Sequence, residues 1–297
     1  MDINLELYKV FYQVAKQLSF SKASRALYIS QSAVSQSIKT LEEKLDTTLF
    51  IRSTKKVYLT PQGKLLLEHI EPAINLMING HLSLLESPSL SKGKLHIGAS
   101  DTICKYYLIP YLKEFHQNYP NVHLQVTNRT STACVKLLKQ GSVDFIVTNL
   151  PNEAIDDDLQ IIPTITFNDV FIAGQAFSHL EGDKLTLNDL AVLPILMLEK
   201  NTATTAYMNK LFNDRGMSLK PSVELGSIDL LVDLAKIGLG ISFVPEYCLS
   251  ENDCEIFKIK LKETLPSRQL AIVTSRKTPL SLASQKFIEM VAQFIES

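Results

Sequence analysis

The stretch from Phe20 to Gly63, and above all Ser30–Glu42, constrains the fold of this chain more than any other. Its apolar residues recur at spacings of four, three and four, so they share one face of a helix and can pack into a core. These residues are Val34, Ile38, Leu41 and Leu45. Another face carries only small hydroxyls, an amide and one cation: Ser32, Ser35, Gln36 and Lys39. Such a face can enter the major groove of DNA, where it reads base edges and grips phosphates.

A short helix precedes this segment. Ala23, Ala26 and Leu27 recur at helical spacing, with Ser19 or Ser21 available as the N-cap. The connection 28–30 has the length used in a helix-turn-helix, so the second helix is the candidate recognition helix, with Ser30 as its N-cap. The alternative is a helical hairpin in an ordinary core, whose polar face meets only water.

The charge of the chain is distributed unevenly. Residues 1–60 carry nine Lys and Arg against five Asp and Glu, whereas the remainder carries 21 against 26. Only the N-terminal part therefore has the charge balance to meet a polyanion. The total of 297 residues, 45% of them hydrophobic, predicts two or three domains with cores of their own.

An amphipathic helix and a hairpin flank the helix pair. The helix is predicted from an apolar stripe: Leu7, Val10, Phe11, Val14, Ala15 and Leu18. Two short strands, Leu49–Arg52 and Val57–Thr60, predict a wing with cations near its tip. Cations there would lie along the DNA backbone or minor groove, although a solvated basic turn is the alternative.

We therefore predict a DNA-binding surface on the recognition helix and the wing. Gln31, Ser35 and Gln36 are expected to read bases. Lys39, Arg52 and Lys55 are expected to hold phosphates. The complete predicted set is Ser21, Ser30, Gln31, Ser32, Ser35, Gln36, Lys39, Arg52, Lys55 and Lys56.

These residues carry a family resemblance. The matched positions are Phe11-x2-Val14-Ala15, Ser19-Phe20-Ser21-x-Ala23, Ser30-Gln31-Ser32-Ala33-Val34-Ser35, Ile38-x2-Leu41-Glu42, Leu49-Phe50-x-Arg52 and Leu59-Thr60-Pro61-x-Gly63. Together they resemble the N-terminal region of LysR-type transcriptional regulators. Leu18 and Asp46 stand where that family usually has glycine, and Ser24 replaces a common alanine.

A long helix is predicted after the wing. Thr60 is a candidate N-cap with Pro61 at the first helical position, and the helix continues to about Glu86 through Pro72. Apolar residues alternate at spacings of four and three along it, which is typical of a coiled-coil seam that needs a second chain. The predicted dimerisation residues are Leu66, Ile70, Ala73, Met77 and Leu84. The resemblance implies that this linker helix dimerises the protein, and that dimers pair into tetramers.

The remainder alternates strands and helices, which predicts a mostly parallel sheet covered by helices. Gly238-Leu239-Gly240-Ile241-x-Phe243-Val244-Pro245 resembles a stretch late in the family's effector domain. The implied fold is α/β: a winged helix-turn-helix, a linker helix, and two periplasmic-binding-protein-like subdomains with crossovers near Pro163 and Pro266. The predicted bounds are 1–60, 61–87, a hinge at 88–93, and 94–297, with subdomain I at 94–163 and 267–297 and subdomain II at 164–266.

The motifs of several enzyme classes are absent from the sequence. There is no GxSxG, HExxH, Walker loop or GxGxxG after a strand, so no catalytic residue can be named. Neither the six histidines nor Asp156–Asp158 have the spacing of metal ligands, and the four cysteines form no CxxC pair. We predict no metal, no cofactor and no disulfide framework.

Polar residues follow the predicted strands at the starts of helices. Open α/β sheets bind ligands at the carboxyl ends of strands, where helix N-termini favour anions. Ordinary N-capping explains any one of these hydroxyls better than ligand binding does, but several of them converging on one interdomain cleft is harder to dismiss. The resemblance implies that this cleft binds a small effector, which we expect to be polar or anionic. The predicted effector-binding residues are Ser100, Thr102, Arg129, Thr130, Ser131, Thr202 and Thr204.

Three functions are compatible with this organisation. The first is a ligand-responsive transcription factor that binds an interrupted palindrome in promoter DNA and, by resemblance, contacts RNA polymerase. The second is a soluble binding or transport protein, and the third is an enzyme on a doubly wound sheet. The N-terminus lacks the pattern of a signal peptide and no apolar run reaches the length of a membrane span, so we expect a cytoplasmic protein without a membrane partner.

Overall fold

The computed structural model describes residues 3–53, 56–85, 90, 92–250 and 252–296. The chain divides into two compact units. One extends to Leu84 and includes Gln140–Ser142; the other contains the rest. The helices and strands of the first unit are α1 (Leu5–Gln17), α2 (Phe20–Leu27), α3 (Gln31–Leu45), β1 (Phe50–Arg52), β2 (Val57–Leu59) and α4 (Pro61–Leu85).

The first unit is a three-helix core with a hairpin. Its innermost side chains come from the apolar stripes of α1 and α3, and all are completely shielded from solvent: Phe11, Val14, Val34, Ile38 and Leu41. Leu18 was wrongly included in the stripe. It lies after the last turn of α1 in the left-handed conformation, with φ of 44°, and is 46% exposed.

Side-chain caps set the starts of these helices. Ser19 Oγ accepts from the Lys22 amide at 3.3 Å, and Ser30 Oγ accepts from the Ala33 amide at 3.1 Å. Leu18 and Asp46, which stand at glycine positions of the resembled family, both adopt positive φ. Non-glycine residues pay about 1–2 kcal/mol for that conformation, so tertiary packing holds these two turns.

The wing is tied to α3 and α4. In the antiparallel pair β1 and β2, Phe50 lies opposite Leu59. Glu42 Oε1 on α3 accepts from the amides of Leu49 and Phe50, at 2.7 and 3.1 Å. Thr60 caps α4 by accepting from the Gly63 amide, as predicted. The helix then continues through Pro72.

The second unit contains two five-stranded mixed sheets, which confirms the predicted α/β class. The first sheet has the order β4-β3-β5-β14-β6 and the second β10-β9-β11-β7-β12. Strands β3, β4 and β5 are parallel, as are β9, β10 and β11. Strands β14 and β7 are antiparallel to their neighbours. Helices cover both faces of each sheet, with separate apolar clusters on the two sides.

The elements of this unit run in chain order as follows. The strands are β3 (Gly93–Ala99), β4 (Val122–Asn128), β5 (Phe145–Leu150), β6 (Leu159–Phe167), β7 (Asp169–Gly174), β8 (Lys184–Leu185), β9 (Ile195–Leu198), β10 (Val223–Leu225), β11 (Ile241–Pro245), β12 (Ile256–Lys258), β13 (Lys260–Leu261) and β14 (Arg268–Ser275). The helices are α5 (Asp101–Ile103), α6 (Ile109–Asn118), α7 (Ser131–Lys139), α8 (Leu187–Ala191), α9 (Ala203–Asn213), α10 (Ile228–Lys236) and α11 (Leu282–Glu296). A π-helical segment, Cys104–Leu108, joins α5 to α6.

The first crossover between the sheets lies later than predicted. Pro163 falls within β6, which belongs to the first sheet and continues to Phe167, so the chain crosses at Asn168. Strand β6 is at the edge of its sheet and a bulge interrupts its pairing between Gln269 and Ala271 of β14, which is where a proline without an N–H is tolerated. The chain returns to the first sheet between the end of β13 at Leu261 and the start of β14 at Arg268.

Candidate functional site

The surface of α3 has the composition of a base-reading surface. Gln31, Ser32, Gln36 and Lys39 are exposed, and Ser35 is half-buried. Ser30 Oγ also lies 2.8 Å from Ser32 Oγ, so the first turn presents a row of hydroxyls and amides. The opposite face is sealed in the core, so this face is available to a partner.

The wing contributes cations beside that helix. Arg52 is exposed and its guanidinium lies 4.2 Å from the centre of the Phe20 ring, a cation–π contact that orients it against α2. Lys56 is exposed. The Ser53 hydroxyl donates to the Lys56 carbonyl oxygen and accepts from the Lys56 amide. Lys55 lies outside the described residues. Ser21 is half-buried, with its hydroxyl at 3.4 Å from Arg25 Nη2.

The predicted dimerisation residues on α4 fall into two groups that differ in burial. Leu66 and Ile70 are half-buried against the core of the first unit, whereas Ala73, Met77 and Leu84 are exposed. Further apolar residues of α4 are also exposed: Leu65, Leu76, Ile78 and Leu82. Met77, Ile78 and Leu82 line an apolar groove of about 470 Å³ together with Tyr12 and other residues of α1.

In the second unit, the carboxyl ends of the parallel strands carry the predicted effector residues. Ser100 follows β3 and Thr202 precedes α9, each as an N-cap. Thr130 accepts from the Ala133 amide, so ordinary capping accounts for all three hydroxyls. Ser131 is buried and Thr102 half-buried. Arg129 is exposed and its Nη1 donates to the Asn128 carbonyl at 2.7 Å.

Thr204 is the predicted residue that joins the two subdomains. Its hydroxyl lies 3.3 Å from Arg268 Nη2, and both side chains are buried. Arg268 begins β14 in the first sheet and forms a two-pronged ion pair with Asp169, which begins β7 in the second, at 2.5 and 2.6 Å. The guanidinium carbon also lies over the Phe167 ring at 5.0 Å and over the Tyr207 ring at 4.8 Å from the ring centres.

A second polar contact links the two subdomains. Asp229, in the first turn of α10, accepts from Lys105 Nζ at 2.9 Å and from the Tyr106 hydroxyl at 2.5 Å. Burial alone would raise the pKa of Asp229, but the bonds from Tyr106 and Lys105 outweigh it and hold that pKa below its usual value. Lys105 and Tyr106 lie on the π-helical segment, a local irregularity often found at functional sites.

The comparisons with known proteins agree with this architecture. Residues 5–64 match the bacterial regulatory helix-turn-helix protein, lysR family, and residues 88–295 match the LysR substrate binding domain. The chain belongs to the LysR family of transcriptional regulators. It therefore combines the family's helix-turn-helix DNA-binding domain with its effector-binding domain.

Relatives of this LysR-type regulator are similar over nearly their whole length. An uncharacterized HTH-type transcriptional regulator, YcgK, of Bacillus subtilis is 28% identical over 98% of this chain and 94% of its own. A probable RuBisCO transcriptional regulator of Cyanidium caldarium is 28% identical over 97% and 92%.

Solved structures of full-length LysR-type regulators share the fold. A full-length OxyR variant of Pseudomonas aeruginosa has a TM-score of 0.71 at 20% identity, over 100% of this chain and 95% of that one. CbnR in complex with its target DNA has a TM-score of 0.67 at 17% identity, over 98% and 99%.

Metal and membrane signals are missing from the described part of this LysR-type chain. No group of three or more His, Cys, Asp or Glu side chains could hold a metal ion there. None of the helices described is both long and apolar enough to cross a membrane.

Sequence reasoning missed several polar residues that the structure brings into view. Asn149, at the carboxyl end of β5, follows the same rule that selected Ser100 and could have been found. Asp169 and Arg268 are 99 residues apart, and no local pattern connects them. Tyr28, 94% exposed in the turn before α3, was also missed as a candidate for DNA contact.

Proposed function

We propose that this LysR-type regulator binds an interrupted palindrome in promoter DNA as a dimer or tetramer and responds to a small polar effector in the cleft of its second unit. The exposed face of α3, with hydroxyls and amides above a sealed apolar core, carries the proposal. It works on DNA in the cytoplasm, contacts RNA polymerase and has no enzymatic role. The relatives named as transcriptional regulators support this reading.

The proposed roles of α3 and the wing predict two different defects. Gln31→Ala should weaken binding to the cognate site by about 1–3 kcal/mol and leave binding to random DNA unchanged, because a base contact carries sequence information. Lys56→Ala should weaken binding to the cognate site and to random DNA alike, and it should make the affinity less dependent on salt. The reason is that it removes a phosphate contact together with the counterion release that accompanies that contact. Fluorescence anisotropy with cognate and scrambled duplexes at several salt concentrations measures both effects. Equal losses on both duplexes for Gln31→Ala would contradict a base-reading role.

The proposed dimer uses the exposed apolar residues of α4. Met77 is 45% exposed in the single chain, so Met77→Glu should leave the fold of the chain intact. In a dimer it would bury an unpaired carboxylate, and we expect the mass measured by light scattering to fall to that of a monomer. Gln62→Glu places the same charge at an exposed polar position and should keep the parent mass. An unchanged mass for Met77→Glu would remove α4 from the interface.

The contact between Asp229 and Lys105 predicts a latch on the closed cleft. Asp229→Asn removes the carboxylate that Lys105 and Tyr106 share, so the open state should become more populated. Small-angle X-ray scattering should then show a larger radius of gyration than for the parent. Glu246→Gln, which loses an exposed ion pair with Lys258 within subdomain II, serves as the control and should show no change. Identical scattering for Asp229→Asn and the parent would contradict the latch.

A further inference from the structure

Two buried groups at the cleft end of the first sheet have unused hydrogen-bonding capacity. Arg268 is 2% exposed, and its Nε and Nη2 atoms are occupied by Asp169 and Thr204. Its Nη1 atom, which carries two N–H donors, has no hydrogen-bond partner among the described residues. Arg268 therefore presents a buried donor that the protein itself does not use.

Asn149 presents the complementary group. It is 8% exposed, and its Oδ1 acceptor likewise has no partner within the described part of the chain. In the register of β5 and β14, Asn149 lies opposite Leu270. Arg268 is one residue beyond the end of that register, and it lies two residues before Leu270 on β14, where alternation along a strand places both side chains on one face. Diagonal neighbours of this kind are about 7–8 Å apart between backbones, within reach of long side chains.

Arg268 lies where the two subdomains meet, and β5, the strand that carries Asn149, contacts α9 of the second subdomain. Thr204 and Tyr207, which contact the guanidinium, belong to α9 of the second subdomain. Separation of the subdomains would lift α9 from Arg268, so the donor and the acceptor become accessible in an open state. A buried donor or acceptor without a partner loses its hydration and gains nothing in return. One bound group that offers an acceptor to Arg268 Nη1 and a donor to Asn149 Oδ1 would satisfy both atoms.

The charges select the type of occupant. The carboxylate of Asp169 already neutralises Arg268, since both side chains are 1% exposed and joined by two hydrogen bonds. An anion would find no uncompensated positive charge here, because Asp169 already neutralises Arg268 and the neutral Asn149 side chain supplies no countercharge. A neutral group with a carbonyl and an N–H matches both atoms without burying a charge.

We propose that Arg268 Nη1 and Asn149 Oδ1 bind the carbonyl oxygen and the N–H of a neutral primary amide carried by the effector. The proposal rests on the proposed function in one respect, that the cleft holds the effector. The inference restricts the proposed small polar effector to molecules without a net charge. Arg268 and Asn149 then determine specificity, and Asp169 is the residue that positions Arg268.

The test compares amides with the carboxylates of the same skeleton. The full-length protein is mixed with malonamide, benzamide or propionamide, and separately with the sodium salts of malonate, benzoate or propionate at equal ionic strength. We expect at least one amide to raise the midpoint of thermal unfolding, because a ligand that binds only the folded state stabilises it. The matching carboxylate should give a smaller shift or none.

Three variants assign the effect to these two atoms. Asn149→Leu should raise the midpoint of the ligand-free protein, since it removes an unsatisfied acceptor, and abolish the response to the amide. Arg268→Lys keeps a cation opposite Asp169 without Nη1 and should weaken amide binding about tenfold by titration calorimetry. Asn121→Leu, at an exposed position before β4, should respond like the parent.

Each other outcome overturns the inference. If no amide shifts the midpoint while Asn149→Leu still stabilises the protein, the two atoms hold only a structural water. If Asn149→Leu binds the amide with the affinity of the parent, the amide lies elsewhere. If a carboxylate gives the larger shift and Ser100→Ala abolishes it, the cleft is an effector site as proposed and only the neutral amide is wrong.

Discussion

Replacement of Asp169 by Asn is expected to destabilise the second unit by about 3–5 kcal/mol, the usual cost of removing one partner from a buried ion pair. The side chains of Asp169 and Arg268 are each 1% exposed, so Arg268 would keep a buried charge with no counterion. The loss should be visible as a lower urea midpoint by circular dichroism and as weaker coupling between the two sheets, because Asp169 and Arg268 begin β7 and β14 at the two crossovers.

An exposed ion pair of the same unit provides the matched control. Asp158 contacts Lys277, and the two side chains are 55% and 70% exposed. Exposed pairs contribute little to stability, so Asp158→Asn should leave the urea midpoint within experimental error of the parent. Equal effects of the two substitutions would mean that the pair of Asp169 and Arg268 does not hold the crossovers together.

Gly63→Ala is expected to destabilise the first unit by roughly 3 kcal/mol, at the upper end of overpacking costs. A Cβ atom at Gly63 would lie 2.2 Å from the Leu49 carbonyl oxygen, and that carbonyl already accepts from the Thr60 amide at 3.0 Å. Backbone cannot yield as a flexible side chain does, so α4 and β1 must separate. Because β1 leads into Arg52 of the wing, DNA binding should fall together with stability.

The same helix contains a glycine that supplies the control. Nothing lies within 4 Å of a Cβ built on Gly80. Gly80→Ala should therefore stabilise α4 by about 0.5–1 kcal/mol through helix propensity alone. Thermal unfolding and anisotropy on one DNA duplex compare both variants with the parent. A Gly63→Ala protein that unfolds and binds DNA like the parent would refute this account of the glycine.

The local elements of the first unit could be predicted from sequence because their signals are short-range. Ser30 was predicted as the N-cap of α3, and its hydroxyl does accept from the Ala33 amide. Val34, Ile38 and Leu41 were predicted as a core face, and all three are fully buried. Each prediction depended on spacings within one or two helical turns, where periodicity and capping act directly.

The features that were missed depend on contacts between distant parts of the chain. A crossover was predicted near Pro163. Strand β6 nevertheless continues through this proline, because β6 lies at the edge of its sheet. That position is set by pairing with β14, which lies over 100 residues later in the chain. The union of Asp169, Thr204 and Arg268 likewise arises only when both sheets have formed. The sequence did not show that Ile70 of α4 packs inward whereas Met77 is exposed, because this difference depends on where the first unit ends.

The proposed roles of the DNA-binding and effector residues stay predictions, and one experiment tests the central claim most directly. A footprint of the full-length protein on the DNA flanking its own gene should show protection of two half-sites, separated by a whole number of helical turns of about 10–10.5 base pairs. Gln31→Ala should lose that protection at concentrations where the parent keeps it. Protection of the flanking DNA no stronger than that of a scrambled sequence would contradict sequence-specific regulation by this chain.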